Sequence, residues 1–442
     1  RLHPGERVRT TSVMLMPYAD GRENAYNRFR RFVRDVLSTL GHGQVSAQLP
    51  LCMELWGGIA DEEMERRIET VAEKGIRFDT LWIDAGWHGD RCEPCDDPAT
   101  GGWWLTTGDW FVNPCLHPQN LRNIRDLAQE KGMKFLLWFE TERARKTSHF
   151  YREHPDWFLT LPENEDALLD LSRDEVLDGI TEILTAQIEA IGIDCFRQDF
   201  NLEPLPYWRA HDEDGHITNL YALWDRLCKR FPSLLIDNCA SGGRRIDVET
   251  LKRSVPLFRS DYSCWRNANP NFLQAQNIGA QRFVPFTGCA SRGKLDLYTA
   301  RSSYSAGWLS AHWSLGYLTL TEEELHMLRQ ITEEYRQVRE WFVCDFYVLE
   351  NAEANNEGWC AVQYDRPEKG DGMVMVFRRE HSRCTEASYS LHLNPTAAYR
   401  FTDFDTHETR ELSAEELKPG FTVRIPNPHE SKIITYTQIA DR

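Results

Sequence analysis

Between residues 46 and 315 of the 442-residue chain, short apolar runs alternate with amphipathic runs, and this alternation constrains the fold more than any other feature. Residues 51–56 are apolar apart from Glu54. Residues 61–74 then show a helical period, with Met64, Ile68, Val71 and Ala72 on one face and Gly75 as a stop. Residues 78–84 carry Leu81, Trp82 and Ile83. After a long loop rich in Gly, Pro and Cys, a second helix is marked by Leu121, Ile124, Leu127 and Ala128, and residues 134–140 contain Phe-Leu-Leu-Trp-Phe. Ser172-Arg-Asp-Glu175 predicts a capping box opening a helix with Val176, Ile180, Ile183 and Leu184 inward. The next strand is 193–199. Leu220, Leu223, Trp224 and Leu227 form a helix ahead of a strand at 233–238, and 255–261, 282–287 and 306–313 read as the remaining strands. Alternation of this kind implies parallel strands joined by crossover helices. A (β/α)₈ barrel needs about 250 residues, which this stretch supplies.

Thr321-Glu-Glu-Glu324 is a second capping box, opening a long helix through Leu328, Ile331, Tyr335, Val338 and Phe342. After residue 345 the period changes. Short alternating strands such as 373–377 and 389–393 are separated by Gly, Pro, Asn and Asp, which predicts a small antiparallel β-sandwich domain. The chain thus divides into an entry segment at 1–45, a catalytic-type barrel at 46–344 and a C-terminal antiparallel β domain at 345–442.

The formal charge of −17 argues against nucleic acid and against an anionic membrane as partners. No apolar run reaches the roughly 20 residues of a membrane span. There are 15 Trp, whose flat faces stack on sugar rings, although a large aromatic core is by itself the better account of them. The 12 Cys are scattered. Cys195 and Cys239 lie in strands, where a thiol acts as a small hydrophobe. Cys92, Cys95 and Cys115 share one loop, as a disulfide or half a metal site would; no second CxxC or His pair completes a zinc pattern, so they read as ordinary cysteines and no metal is expected. This usage points to a reducing, cytoplasmic compartment.

In a parallel barrel the chemistry lies at the C-terminal ends of the strands. Those ends are Trp56, Asp84, Glu140, Asp199, Cys239 and Asp261. One carboxylate there could cap a helix or pair with Arg. Four converging on one rim point to a site, and two facing carboxylates suit glycosidic cleavage. Arg197 precedes Asp199 by two residues, so both point to the barrel interior and Gln198 points outward. A neighbouring cation keeps a carboxylate ionised, which selects Asp199 as the nucleophile. The segment from Asn238 to Arg245 holds paired glycines that let backbone N–H groups approach a ligand. It lacks the Lys-Ser/Thr of a phosphate loop.

Several segments together resemble glycoside hydrolase family 36, the α-galactosidase family of clan D. They are Trp82-Ile-Asp-Ala-Gly-Trp87, Gly108-Asp-Trp110, Gly132 through His154-Pro-Asp-Trp157, Arg197-Gln-Asp-Phe-Asn201, Cys239-Ala-Ser-Gly-Gly-Arg-Arg-Ile-Asp247 and Arg259-Ser-Asp261. They occur in the family's order over about the first 345 residues. The resemblance implies a retaining enzyme that needs no cofactor, with Asp199 as nucleophile and Asp261 as acid/base. It implies that Trp56, Asp84, Trp138, Arg197 and Asn201 line the glycone pocket, with Cys239, Ser241 and Gly242 near the sugar 2-position. It also likens the segment from Leu2 to Glu6 to the end of an N-terminal β-sandwich, and suits a homo-oligomer.

Two positions depart from the family pattern. Ala85 stands where the family has a second Asp that holds galactose hydroxyls, and Arg197 stands where it has Lys. The expected substrate is therefore a terminal α-galactoside in an oligosaccharide or glycoconjugate, with α-N-acetylgalactosaminide or another α-glycone as the alternative. Transglycosylation is a variant of either. A carbohydrate-binding pseudoenzyme is disfavoured because both Asp199 and Asp261 are present. A metal-dependent barrel hydrolase would want clustered His at the strand ends named above, and none is there.

Overall fold

The structure is a computed structural model that describes residues 4–5, 10–41, 46–209, 211–312, 320–351 and 356–439. The strands of its first sheet are β1 (Leu51–Leu55), β2 (Thr80–Ile83), β3 (Lys134–Phe139), β7 (Cys195–Gln198), β8 (Leu235–Asn238), β9 (Gly288–Ser291) and β10 (Gly307–Ser310), all parallel, in the order β8-β7-β3-β2-β1-β10-β9. A small antiparallel sheet of β4 (Arg143–Arg145), β5 (Phe158–Thr160) and β6 (Asp166–Leu169) is inserted after β3 and has no counterpart in the sequence reading.

The sheet curls until β8 and β9 nearly meet, and a short segment closes the gap. Val255 N–H donates to Ile236 O at 2.9 Å and Asn238 N–H to Val255 O at 2.9 Å, while Gly288 N–H donates to Pro256 O at 2.8 Å. Val255 is the bridge residue of this closing segment, and the expected strand at 255–261 gives way to irregular chain before the turn Asp261–Cys264. Gly288 is required here, because a Cβ would stand 2.1 Å from Leu257 O. The structure is thus a (β/α)₈ barrel with one very short strand.

Three expectations are corrected. Residues 282–287 form turns after the helix Pro270–Gln281, and the strand is the small-residue run Gly288–Ser291 that follows. The last barrel strand is Gly307–Ser310; Trp313, included in the expected span, lies outside the described residues. Ser172 does not cap its helix: Arg173 is the N-cap, and the Ser172 hydroxyl instead donates to Asp170 Oδ1 at 2.5 Å. The box at Thr321 does form.

Beyond the barrel lie β11 (Asp345–Glu350), β12 (Trp359–Arg366), β13 (Asp371–Arg378), β14 (Glu386–Tyr389), β15 (Tyr399–Asp403), β16 (Thr409–Leu412), β17 (Phe421–Arg424) and β18 (Glu430–Gln438). They make a six-stranded antiparallel sheet, β11-β12-β13-β18-β15-β16, faced by the pair β14-β17. Strand periodicity explains how this sheet is held. Cys360, Val362, Tyr364, Met373, Met375 and Phe377 point into the barrel's own core. The alternate residues Trp359, Ala361, Val374 and Val376 point into a second core with Tyr389 and Phe421. Strands β12 and β13 are thus buried on both faces, and through them the sheet is continuous with the barrel.

Buried charges lock the joint. Arg301 donates to both oxygens of Glu334, at 2.8 and 2.5 Å, and also to Asp405. Arg30, on the helix Arg22–Phe32, donates to the carbonyls of Phe342 and Cys344 at 3.0 and 2.6 Å. Cys92 and Cys115 are joined by a disulfide, so they are not ordinary thiols, and the premise of an all-free cysteine set falls. Among the described residues no helix is long and apolar enough to cross a membrane.

Candidate active site

The C-terminal rim of the barrel is built around Asp199, which follows β7 by one residue and is 8% exposed. Its oxygens are well supplied with donors. Oδ1 accepts from Phe200 N–H at 2.7 Å and Ser241 N–H at 3.1 Å. Oδ2 accepts from Trp138 Nε1 at 3.0 Å and Asn201 Nδ2 at 2.9 Å. Burial pushes its pKa upward, but the Arg197 charge and the bonds from Asn201, Trp138 and the Cys239 thiol outweigh that. The carboxyl ends below its ordinary value and stays ionised.

Asp261 lies at the start of the turn Asp261–Cys264, near enough to feel the charge of Asp199, and opens to solvent. Burial of the carboxyl's surroundings raises its pKa above the ordinary value. The charges of Asp199 and Asp84 add to the rise, and Arg197 opposes it. The structure therefore brings Asp84, Arg197, Asp199 and Asp261 into one electrostatic unit.

Asp84 is fixed by Trp82 Nε1 at 3.0 Å and its neighbour's N–H at 2.8 Å. Ser241, in the left-handed region at φ 48°, donates its hydroxyl to Asn201 Oδ1 at 2.7 Å. Gly242 is also left-handed, at φ 89°, and a Cβ there would lie 2.4 Å from Arg259 O, so only glycine fits this turn. Its N–H donates to Cys239 Sγ at 3.2 Å, and burial keeps that thiol protonated. Trp56 stands further back. Its ring packs edge-on against Trp103 at 6.2 Å, and Trp103 packs against Trp138 at 5.4 Å. Glu140 does not open into the mouth: it is fully buried, bonded to Arg143 at 2.5 Å and to the backbone N–H of Asn201.

Arg197 does not bond directly to Asp199. Its guanidinium is bonded to Asp237 and lies 4.4 Å from the Trp82 ring centre. Asp237 was missed because it lies inside β8 rather than at its end. Two signals could have revealed it: an Asp within an apolar strand requires a cation, and Arg197 is its direct partner across the β7–β8 ladder. Trp103, from the long loop, was also missed, although the Trp103-Trp104 pair stands out there.

The model of the melibiase family matches residues 9–265, more than half of the chain. The chain belongs to the melibiase family. Among curated relatives, this melibiase-family chain is 24% identical to the alpha-galactosidase Mel36A of Lactobacillus acidophilus, over 92% of this chain and 56% of that protein. It is 26% identical to the alpha-galactosidase AgaA of Geobacillus stearothermophilus, over 85% of this chain and 53% of that protein. The chain thus spans a little over half the length of these relatives. An AgaA variant solved with 1-deoxygalactonojirimycin superposes with a TM-score of 0.78 at 21% identity, over 94% of this chain and 59% of that one. Another AgaA variant, solved with raffinose, gives 0.77 at 21% identity, over 94% and 59%. These likenesses establish the barrel with its C-terminal β domain as the fold.

Proposed function

We propose that this chain carries the catalytic barrel, residues 46–344, and the C-terminal domain, residues 345–442, of a retaining exo-acting α-galactosidase. The observation that carries the reading is a pair of carboxyls that feel each other's charge and are displaced in opposite directions, Asp199 downward and Asp261 upward. Asp199 is held ionised and attacks the anomeric carbon. Asp261, its pKa raised by burial and by the charges of Asp199 and Asp84, gives a proton to the leaving oxygen; it then takes one from the water that releases the glycosyl-enzyme. Pushing the pKa values of two carboxyls apart is how one pocket supplies both a base and an acid. The donors on Asp199 hold it at a fixed angle to the sugar. Asp84, Trp56, Trp138, Arg197, Asn201, Cys239, Ser241 and Gly242 line the pocket for the glycone. The α-galactosidase relatives and the raffinose-bound neighbour support galactose as that glycone. The family resemblance also supports a homo-oligomer.

One observation favours a second glycone. Ala85 is 1% exposed and offers no acceptor where the family pattern has an Asp. A pocket built to hydrogen-bond a hydroxyl loses affinity when that partner is absent. That leaves α-N-acetylgalactosaminide or another α-glycone as the alternative. The test is a panel of p-nitrophenyl α-galactoside, α-N-acetylgalactosaminide and α-glucoside, with the β-galactoside as control. Release from one α-substrate should fall on the order of 10⁴-fold or more in Asp199→Ala while the folded state persists. Undiminished release in that variant would overturn the reading.

A further inference from the structure

The segment that delivers Asp261 runs on into a surface with no part in the glycone pocket. Trp265 follows directly on the turn Asp261–Cys264. At about 2.0 Å of rise per residue in such a turn, it stands roughly 8 Å beyond Asp261. It is 58% exposed, and among the described residues no other tryptophan is classed as exposed. Isolated apolar residues on a surface are ordinary, but this one is not isolated. Its ring lies 5.3 Å from Tyr262, on the same turn, and Tyr262 lies 5.9 Å from the half-exposed ring of Phe272. Tyr262 is pinned in place, its hydroxyl accepting from Asn269 N–H at 2.6 Å.

Immediately past Trp265 a groove of about 320 Å³ opens between the barrel and the C-terminal sheet. Arg266, Asn269 and Lys294 line the barrel side, and Glu380 and His429 the far side. The volume lies within the roughly 300–1,000 Å³ of small-molecule sites. The lining is mixed, with amide and charged side chains beside Ala268 and Pro270, which suits the hydroxyl rim and C–H faces of a sugar.

The chemistry fixes which sugar would meet this surface. The general acid protonates the leaving oxygen, so the leaving-group sugar must extend from the acid's side of the mouth. A pyranose presents an apolar C–H face to an aromatic ring and a rim of hydroxyls to polar neighbours. Resting on the α-galactosidase reading, we propose that Trp265, buttressed by Tyr262, is the stacking platform for the first leaving-group sugar and sets the preference for saccharide over other leaving groups. The groove beyond it offers polar contacts to further sugars.

The test compares kcat/KM for raffinose with that for α-galactosyl fluoride, whose leaving group has no ring to stack. In Trp265→Ala the raffinose-to-fluoride ratio should fall about ten-fold, because remote contacts on the leaving group are realised only with the saccharide. Trp265→Phe should recover most of the ratio. A ratio that stays put in Trp265→Ala, with both substrates turned over, would overturn the platform and leave the reaction assignment standing. An unmodified protein that cleaves neither substrate would instead overturn the reaction assignment, and the platform with it.

Discussion

Glu140 and Glu142 are the same residue type two positions apart, both 0% exposed, yet they lie at opposite ends of the carboxylate range. Burial pushes each upward. For Glu140 that push prevails and the nearby Asp199 adds to it, so Arg143 and the Asn201 N–H leave it at about 7. For Glu142 the partners prevail. Arg245 donates two bonds, at 2.6 and 2.8 Å, His216 lies at 3.0 Å and Gln198 Nε2 donates at 3.0 Å, which brings the group down to about 2. The same division runs through β7. Gln198 faces the helices and joins this closed network, whereas Asp199 faces the mouth, where like charges are left close together. Burial is common to both sides, so the partners decide. The side that is left electrostatically incomplete is the one where a substrate's charge can develop.

The largest departure from wild-type behaviour is expected on that incomplete side. Asp261 is raised and Asp199 lowered. Turnover therefore requires a pH above the lowered Asp199 value and below the raised Asp261 value, giving two limbs to the profile. Asp261→Asn should lose on the order of 10²–10⁴-fold on an unactivated α-galactoside. It should lose far less on the p-nitrophenyl glycoside, whose leaving group needs no proton, and its alkaline limb should flatten. Equal losses on both substrates would break the comparison, since Asp261 would then not be the acid.

Next comes the cation beneath the mouth. Arg197 and Asp237 are opposite each other in register and both are buried. Asp237→Asn leaves a buried guanidinium without its counter-charge, and urea unfolding at neutral pH should register a loss of about 3–5 kcal/mol. A loss within about 1 kcal/mol of zero would mean that Asp84 and Asp199 already balance Arg197.

This pair also marks how far the sequence could be read. The barrel was legible wherever strands were apolar and helices periodic, as in the run Phe-Leu-Leu-Trp-Phe that became β3. It was not legible at Gly288–Ser291, because small residues carry little strand signal, and the reason for Gly288 is a close approach to Leu257 that only three dimensions reveal. Asp199 could be picked out as a candidate because barrel chemistry collects at strand ends, and Asp261 because the expected strand runs on to it, whereas it lies in the turn that follows. Asp237 and Trp103 could not, because one is internal to a strand and the other reaches the site from a loop. The Cys92–Cys115 link spans 23 residues of that same loop, and spacing alone does not choose among three neighbouring cysteines.

The smallest and sharpest effect concerns the two glutamates themselves. Glu142 is lowered from an ordinary 4.5 to about 2, so its ionised form stabilises the fold above pH 4.5 and that contribution is lost as pH falls toward 2. Glu142→Gln should therefore cost about 3 kcal/mol at neutral pH. Glu140 is raised from 4.5 to about 7, so the fold favours its protonated form and stability is lost as pH rises between those values. Glu140→Gln removes that penalty along with the Arg143 bond, and above pH 7 it should stay within about 1 kcal/mol of the unmodified protein. Urea titrations of both variants at pH 5 and pH 8 give the measurement. Glu140→Gln should compare better with the unmodified protein at pH 8 than at pH 5, and Glu142→Gln should be the costlier change at both. Equal losses would show that burial alone governs these carboxylates, and the contrast between the two faces of β7 would then have to rest on geometry rather than charge.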